Sequence, residues 1–272
     1  MSKLTRKGLA GVLVLGALAV VGMTAPATSA QASSKYLSIN NYSNAYVRTK
    51  RTMYVGIYQK HGNTYRPLLK KKGSLLKVTD TEQKTSKSPV LASFTSGAVH
   101  YSRLTQLKFT DTPSIPLTKA NFTQVTLKAP IRGTILRAGS GFKQDKAGNF
   151  GNSSAFYLTL DNYLQYYSKA AMIKNDPAGT MFVTNGRTAA KPSATAKMTK
   201  TTVKGNTTTV QYSSPIKGVP GKKLSAHNYQ LKIKNLKTSG DNYFDDNSWH
   251  GHWDNYTINN KPFFSGMIYD FD

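Results

Sequence analysis

The sequence predicts a mainly β protein built from small antiparallel sheets or barrels, with at most one or two short helices after its first 32 residues. Short runs rich in Thr, Val, Ile, Tyr and Phe are separated by Gly, Asn, Ser and Lys, which is the composition of strands joined by turns. Apolar and polar residues alternate along 53–58, 156–160 and 230–234. Such alternation places successive side chains on opposite faces of a strand.

Residues 1–32 have the layout of an export signal. Three basic residues precede an uncharged, apolar run over 8–23, and Ala30 and Ala32 match the pattern that a signal peptidase cuts. We therefore expect export, a mature chain starting at Ser33, and a secreted, extracellular or cell-wall location. An uncleaved amino-terminal anchor is the alternative, and an intact mass that retains these residues would contradict cleavage. No later segment is apolar enough to predict a transmembrane helix.

Charge is the strongest compositional signal. Removing the three basic residues of the signal leaves 34 Lys and Arg against 12 Asp and Glu, a formal +22. Residues 33–240 carry +27 and residues 241–272 carry −5. A basic excess favours polyanionic partners, and export argues against nucleic acid as that partner. The chain has no Cys, which excludes disulfides and thiolate metal sites.

Along the chain, the best helix candidate is 161–176, with Asp161 as its N-cap and Pro177 just after its end. The same stretch contains the sequence QYYS over 165–168, which fits a strand ending. The two interpretations exclude each other unless the helix starts after the strand.

Three segments share an order of features that predicts a repeated β unit. Gly73, Gly133 and Gly179 each precede Ser or Thr and then two large apolar residues, and each segment later ends in VHYS, QYYS or VQYS. A glycine at such a point provides a turn with positive φ. Chance similarity in a chain rich in Gly, Thr and Tyr is the alternative. The predicted units cover about 33–102, 103–168 and 169–213.

Two further segments have the composition of connections. Residues 188–209 are rich in Lys, Thr and Ala, which predicts a mobile loop or a long hairpin tip. Residues 214–223 are rich in Pro and Gly and predict a hinge. The hinge divides a basic β-rich region, 33–213, from a carboxy-terminal β segment, 214–272, with an acidic, aromatic-rich tail.

The stretch YRPLLKKKGSLLKV, residues 65–78, resembles strand entries in the S-layer-type wall-binding modules of basic secreted surface proteins from lactobacilli, and in bacterial SH3-like modules. The export signal, the high pI and the absence of Cys are similar as well. The resemblance covers 14 residues. It implies noncovalent association with the wall, and it shows no activity. Repeated SH3-like units are one form that the small sheets or barrels could take.

Basic residues near this stretch are the candidates for binding anionic wall polymers. Interleaved Tyr46, Tyr54, Tyr58 and Tyr65 would help to hold a polymer. A solvated positive face is the alternative interpretation. The candidate polyanion-binding residues are Arg48, Lys50, Arg51, Arg66, Lys70, Lys71 and Lys72.

The tail contains the motif H-x-H-x-D at His250, His252 and Asp254. A strand would direct these three side chains to one face, where they would be candidate ligands of a metal in a secreted hydrolase. The motif resembles that of metallo-β-lactamase-type hydrolases, but Asn255 stands at the place of the next His. We expect a polar strand face with no metal and no cofactor.

The aromatic residues of the tail suggest a second alternative, a glycan site. Tyr243, Trp249, Trp253 and Tyr256 lie among Asp, Asn and His, a mixture that can stack on a sugar ring and bond its hydroxyls. The competing interpretation places the rings in the core. Because nucleophile and phosphate-loop motifs are missing from the sequence, the expected function is a non-enzymatic surface protein that associates with anionic cell-wall polymers or glycans.

Overall fold

The computed structural model describes residues 35–39, 45–129, 131–177, 190–245 and 248–270. The predicted export signal and Gly179 lie outside these residues. Among the described residues the fold is mainly β with two short helices, which confirms the prediction of a mainly β chain with at most one or two short helices. Within the described ranges, no helix is long and apolar enough to cross a membrane.

The first part of the chain forms two small antiparallel sheets. The elements of this part are β1 (Tyr46–Thr49), β2 (Met53–His61), β3 (Thr64–Lys70), β4 (Leu75–Glu82), β5 (Leu91–Thr95), α1 (Tyr101–Leu104), β6 (Leu107–Phe109), β7 (Ile115–Pro116) and β8 (Phe122–Val125). One sheet has the order β7-β5-β4-β1-β8, and the other has the order β3-β2-β6.

A common apolar core lies between these two sheets. Val47 and Leu76 come from the five-stranded sheet, and Val55 and Ile57 come from the three-stranded sheet; all four are fully buried. The alternation along 53–58 therefore has its predicted effect, since apolar burial stabilises only a strand that keeps these residues on one face.

The second part of the chain forms one large antiparallel sheet and a short helix. Its elements are β9 (Leu136–Ala138), β10 (Ala155–Leu158), β11 (Tyr163–Tyr167), α2 (Lys169–Asn175), β12 (Ala194–Lys204), β13 (Thr207–Tyr212), β14 (Lys222–Ser225), β15 (Asn228–Phe244), β16 (Trp249–Ile258) and β17 (Lys261–Asp270). The order β13-β12-β11-β10-β9-β17-β16-β15 closes on itself through pairing of β13 with β15. Strands from both sides of the predicted hinge thus belong to one sheet.

The closed sheet has an apolar interior at one end. Leu136, Phe156, Leu231 and Ile258 are among its buried inward side chains. The segment that joins β13 to β14 contributes Ile216 to the same cluster, so it covers the end at which β13 finishes. The predicted hinge is therefore partly a packing segment.

The strand interpretation of 165–168 is correct, and the helix starts later than the sequence predicted. Residues of β11 pair with β10 and β12, and α2 begins after Ser168, whose hydroxyl accepts a hydrogen bond from the Ala171 N–H at 3.2 Å. Asp161 does not cap a helix. Strand β11 buries Leu164 and Tyr167 on its two faces, which removes the period-two signal.

Of the two interpretations of 188–209, the mobile loop is wrong where the structure describes the segment, and the hairpin is correct, because β12 pairs with β13 there. Ala196 and Met198 alternate with exposed polar residues and are buried in the closed sheet. Small or flexible apolar residues supply the inward face, and the low content of large apolar residues concealed the strand.

Two of the three glycines of the predicted repeat occupy the expected turns. Gly73 has φ of 83° just before β4, and Gly133 has φ of 80° before β9. The endings differ, because the VHYS segment enters α1 whereas QYYS and VQYS finish strands. The repeat itself stays a prediction.

Candidate functional site

Most of the candidate polyanion-binding residues lie on two neighbouring turns. The turn from β1 to β2 carries Lys50 and Arg51, and the turn from β3 to β4 carries Lys71 and Lys72. All four are exposed. Together with exposed Arg48 at the end of β1, they form what we call the basic turn surface.

Hydrogen bonds hold the two turns together. The Gly73 N–H donates to the Thr49 carbonyl at 2.7 Å, and the Thr49 hydroxyl donates to the Lys71 carbonyl at 2.7 Å. The Arg48 guanidinium donates to the Gly73 carbonyl at 2.8 Å. Thr49 is buried, which fixes the spacing of the cations around it. The turns therefore present their cations from a rigid base.

Lys119 is a further cation at this surface that the sequence did not indicate. The Lys50 ammonium donates to the Lys119 carbonyl at 2.7 Å, and the Lys50 N–H donates to the Asn121 carbonyl at 2.7 Å. Lys119 is exposed. Sixty-nine positions separate the two lysines, so no local pattern reveals that they are neighbours.

Two of the seven candidate polyanion-binding residues, Lys70 and Arg66, lie outside the basic turn surface. Lys70 is half-buried opposite Met53, and burial, followed by repulsion from Arg103, lowers the pKa of its ammonium group. Arg66 lies on the β2–β3 hairpin opposite Gln59 and is exposed. Across the described part of the chain, none of the seven forms an ion pair with a carboxylate.

The four interleaved tyrosines lie in different environments and do not form one continuous surface. Tyr46 is buried, and desolvation raises its pKa to about 12. Tyr54 and Tyr58 lie on the three-stranded sheet with ring centroids 5.6 Å apart. Tyr65 is 42% exposed near the tip of the β2–β3 hairpin. Three of the four tyrosines remain accessible to a ligand.

In the tail, β16 has the predicted strand geometry. His250, His252 and Asp254 lie on one face, and the register places Asp241 opposite His252 and Tyr243 opposite His250. The His250 ring stacks on Tyr243 with centroids 4.4 Å apart, and its Nε2 lies 3.8 Å from Asp241 Oδ2. No group of three potential metal ligands occurs among the residues that the structure describes.

The four candidate glycan-binding aromatic residues lie in three environments: an apolar cluster, the interior of the closed sheet and the exposed surface. Trp253 is buried, and Trp249 packs beside it against a cluster that includes Phe142 and Phe150. Tyr256 is buried on the opposite face in the interior of the closed sheet. Only Tyr243 is largely exposed, at 52%. The four rings therefore do not form a single stacking platform, and the interpretation that places Trp253 in the core is confirmed.

The basic turn surface is a place where an extended polyanion can bind. Its cations are exposed on two tied turns. Arg48 and Lys50 each use one donor on a backbone carbonyl and keep further donors, which suits contacts with the phosphate groups of a polymer. Comparison with protein-family models, with curated proteins and with solved structures found no match for this chain.

Proposed function

We propose that this protein is an exported, non-enzymatic surface protein that associates noncovalently with anionic cell-wall polymers. The basic turn surface is the contact. The observation that carries the proposal is that cations distant in sequence converge on two hydrogen-bonded turns without neutralising carboxylate partners among the described residues.

The charge distribution supports the same function. After removal of the predicted signal, 34 basic and 12 acidic residues remain, and this excess of positive charge attracts polyanions. Export, which residues 1–32 predict, would place this field next to wall polymers that bear repeated phosphates. Each contacted phosphate would release counterions, so binding would depend steeply on salt.

This proposal predicts the effect of reversing two charges. The variant Lys71→Glu/Lys72→Glu should bind isolated Gram-positive walls more weakly, and the slope of log affinity against log salt should fall by about two. Binding would be measured by sedimentation of walls across a salt series. Concentrated salt should release the unmodified protein without detergent.

The matched control is Lys84→Glu/Lys87→Glu. These lysines are exposed in the turn at the other end of β4, so the variant changes net charge by the same amount away from the basic turn surface. It should retain most of the wall binding. Equal loss in both variants, or retention that molar salt does not change, would contradict the assignment of the surface.

A further inference from the structure

The closed sheet has a cavity of about 760 Å³ at the end opposite Ile216. Its walls come from the 131–135 segment before β9, from the β12–β13 hairpin and from β15, β16 and β17, and two further lining residues, Tyr46 and Lys77, belong to β1 and β4 of the first part of the chain. The open ends of closed sheets are common positions for small ligands, and the volume lies in the range of such sites.

The cavity forms because one face of the strands continues past the point where the sheet closes. Tyr256 faces the interior, and Asp254 and His252 follow on the same face of β16. Their partners on β17 are Ser265 and Met267. The interior therefore changes from apolar at one end to polar at the other.

Cations outnumber carboxylates in this wall. The described lining residues include Lys77, Arg132 and Lys237, and Asp254 supplies the one carboxylate among them. A hydrogen bond that the Arg132 Nη2 donates to the Thr201 hydroxyl at 3.1 Å orients the guanidinium. Desolvation lowers the pKa of Arg132 and of the buried Lys77. A bound anion would offset that unfavourable desolvation.

The remaining lining combines amides, hydroxyls and aromatic rings. Asn206 and Asn235 line the cavity, and the Asn235 side chain donates to the Tyr256 hydroxyl at 3.3 Å. Tyr269 also lines the cavity and is 44% exposed. Such a lining offers hydrogen bonds to ring hydroxyls and an apolar ring face on which a sugar can stack.

We propose that this cavity binds an anionic saccharide, a sugar ring that carries a phosphate or a carboxylate. Lys237 and Arg132 contact the anionic group, and Asn206, Asn235 and the tyrosines contact the ring. None of the residues of the basic turn surface lines the cavity, although Tyr46 of β1 and Lys77 of β4 do, and the inference does not depend on wall binding through that surface.

The experiment is a calorimetric titration of the purified protein with four probes. They are glucose 6-phosphate, glucuronate, glucose and inorganic phosphate. At least one of the two anionic sugars should bind saturably and about tenfold more tightly than glucose and than inorganic phosphate, since one charge-assisted contact corresponds to roughly that factor. The anionic sugar that binds identifies the group recognised.

Three variants assign the binding to the cavity. Lys237→Gln should weaken binding of the anionic sugar about tenfold. Asp254→Asn should strengthen it, because the variant removes the repulsive carboxylate. Lys174→Gln, an exposed change on α2 away from the cavity, should leave it unchanged. Lys237 and Asp254 are both exposed, so their replacement leaves the core intact.

Several results would overturn the proposal. Binding of inorganic phosphate as tightly as the sugar phosphate would contradict the saccharide component, and equal binding of glucose would contradict the anionic component. Absence of binding by both anionic sugars, or an effect of Lys174→Gln as large as that of Lys237→Gln, would contradict the site.

Discussion

Replacing Asp176 with Asn should lower the free energy of unfolding by about 3–5 kcal/mol, because the change removes the carboxylate that pairs with the buried Arg137 guanidinium. Arg137 Nη2 lies 2.9 Å from Asp176 Oδ2, and the side chains are 2% and 4% exposed. Burial lowers the pKa of Arg137, and the contact with Asp176 acts in the opposite direction. Arginine nevertheless stays charged at any physiological pH.

This ion pair connects β9 of the closed sheet to the residue that ends α2. Arg137 also lies over the Phe142 ring, 5.6 Å from its centroid. Loss of the carboxylate would therefore affect the packing of the helix as well as the charge balance of the core.

The comparison variant for this prediction is Arg103→Gln. Its pair with Asp161 spans 3.2 Å, but the Arg103 side chain is 58% exposed, so the loss should be at most about 1 kcal/mol. Equilibrium urea unfolding would give both values. The replacement of both buried partners, Arg137→Met with Asp176→Leu, should cost less than Asp176→Asn alone. A cost below 1 kcal/mol for Asp176→Asn would contradict the structural role of the pair.

Trp253→Ala should destabilise the protein by about 3–5 kcal/mol, since removal of a buried indole leaves a cavity that the surrounding sheet cannot fill. Trp253 is 9% exposed and packs against Phe142 and Phe264. Glycines on neighbouring segments make room for the ring: a Cβ at Gly240 would lie 2.8 Å from the indole Cε2.

A second substitution tests the same packing from the opposite direction. Gly240→Ala should cost about 1–3 kcal/mol, because the added methyl overpacks the indole. Tyr65→Ala provides the control, since Tyr65 is 42% exposed and its loss should change stability by about 0.5 kcal/mol at most. If both Trp253→Ala and Gly240→Ala change the free energy of unfolding only slightly, the indole is not a core residue and becomes a candidate glycan contact again.

The histidine motif shows that a local pattern predicts which side chains share a strand face, but not what that face does. Strand geometry correctly placed His250, His252 and Asp254 on one face, because side-chain alternation depends only on the backbone. The function of that face depends on its cross-strand neighbours. Pairing with β15 brings Asp241 and Tyr243 beside the histidines, and beyond the closed region the same face lines the cavity.

Asp161 shows the corresponding failure of a local rule. An Asp before an amphipathic stretch is a good helix N-cap, and for this reason the sequence predicted Asp161 as the N-cap of a helix over 161–176. In the structure its carboxylate accepts a hydrogen bond from the His100 N–H at 2.8 Å and pairs with Arg103. A carboxylate that finds distant donors in the folded chain is no longer available to cap a helix.

The sequence by itself determined the β class, the turns at Gly73 and Gly133, and the opposite net charges of residues 33–240 and 241–272, because each of these depends on residue type and short-range spacing. Only the tertiary structure decided which segments become neighbours. Closure of the sheet depends on pairing between β13 and β15, and the cavity draws on residues from Tyr46 to Tyr269. Such contacts are selected by the burial of apolar surface between distant segments, for which a single sequence carries no periodic signal.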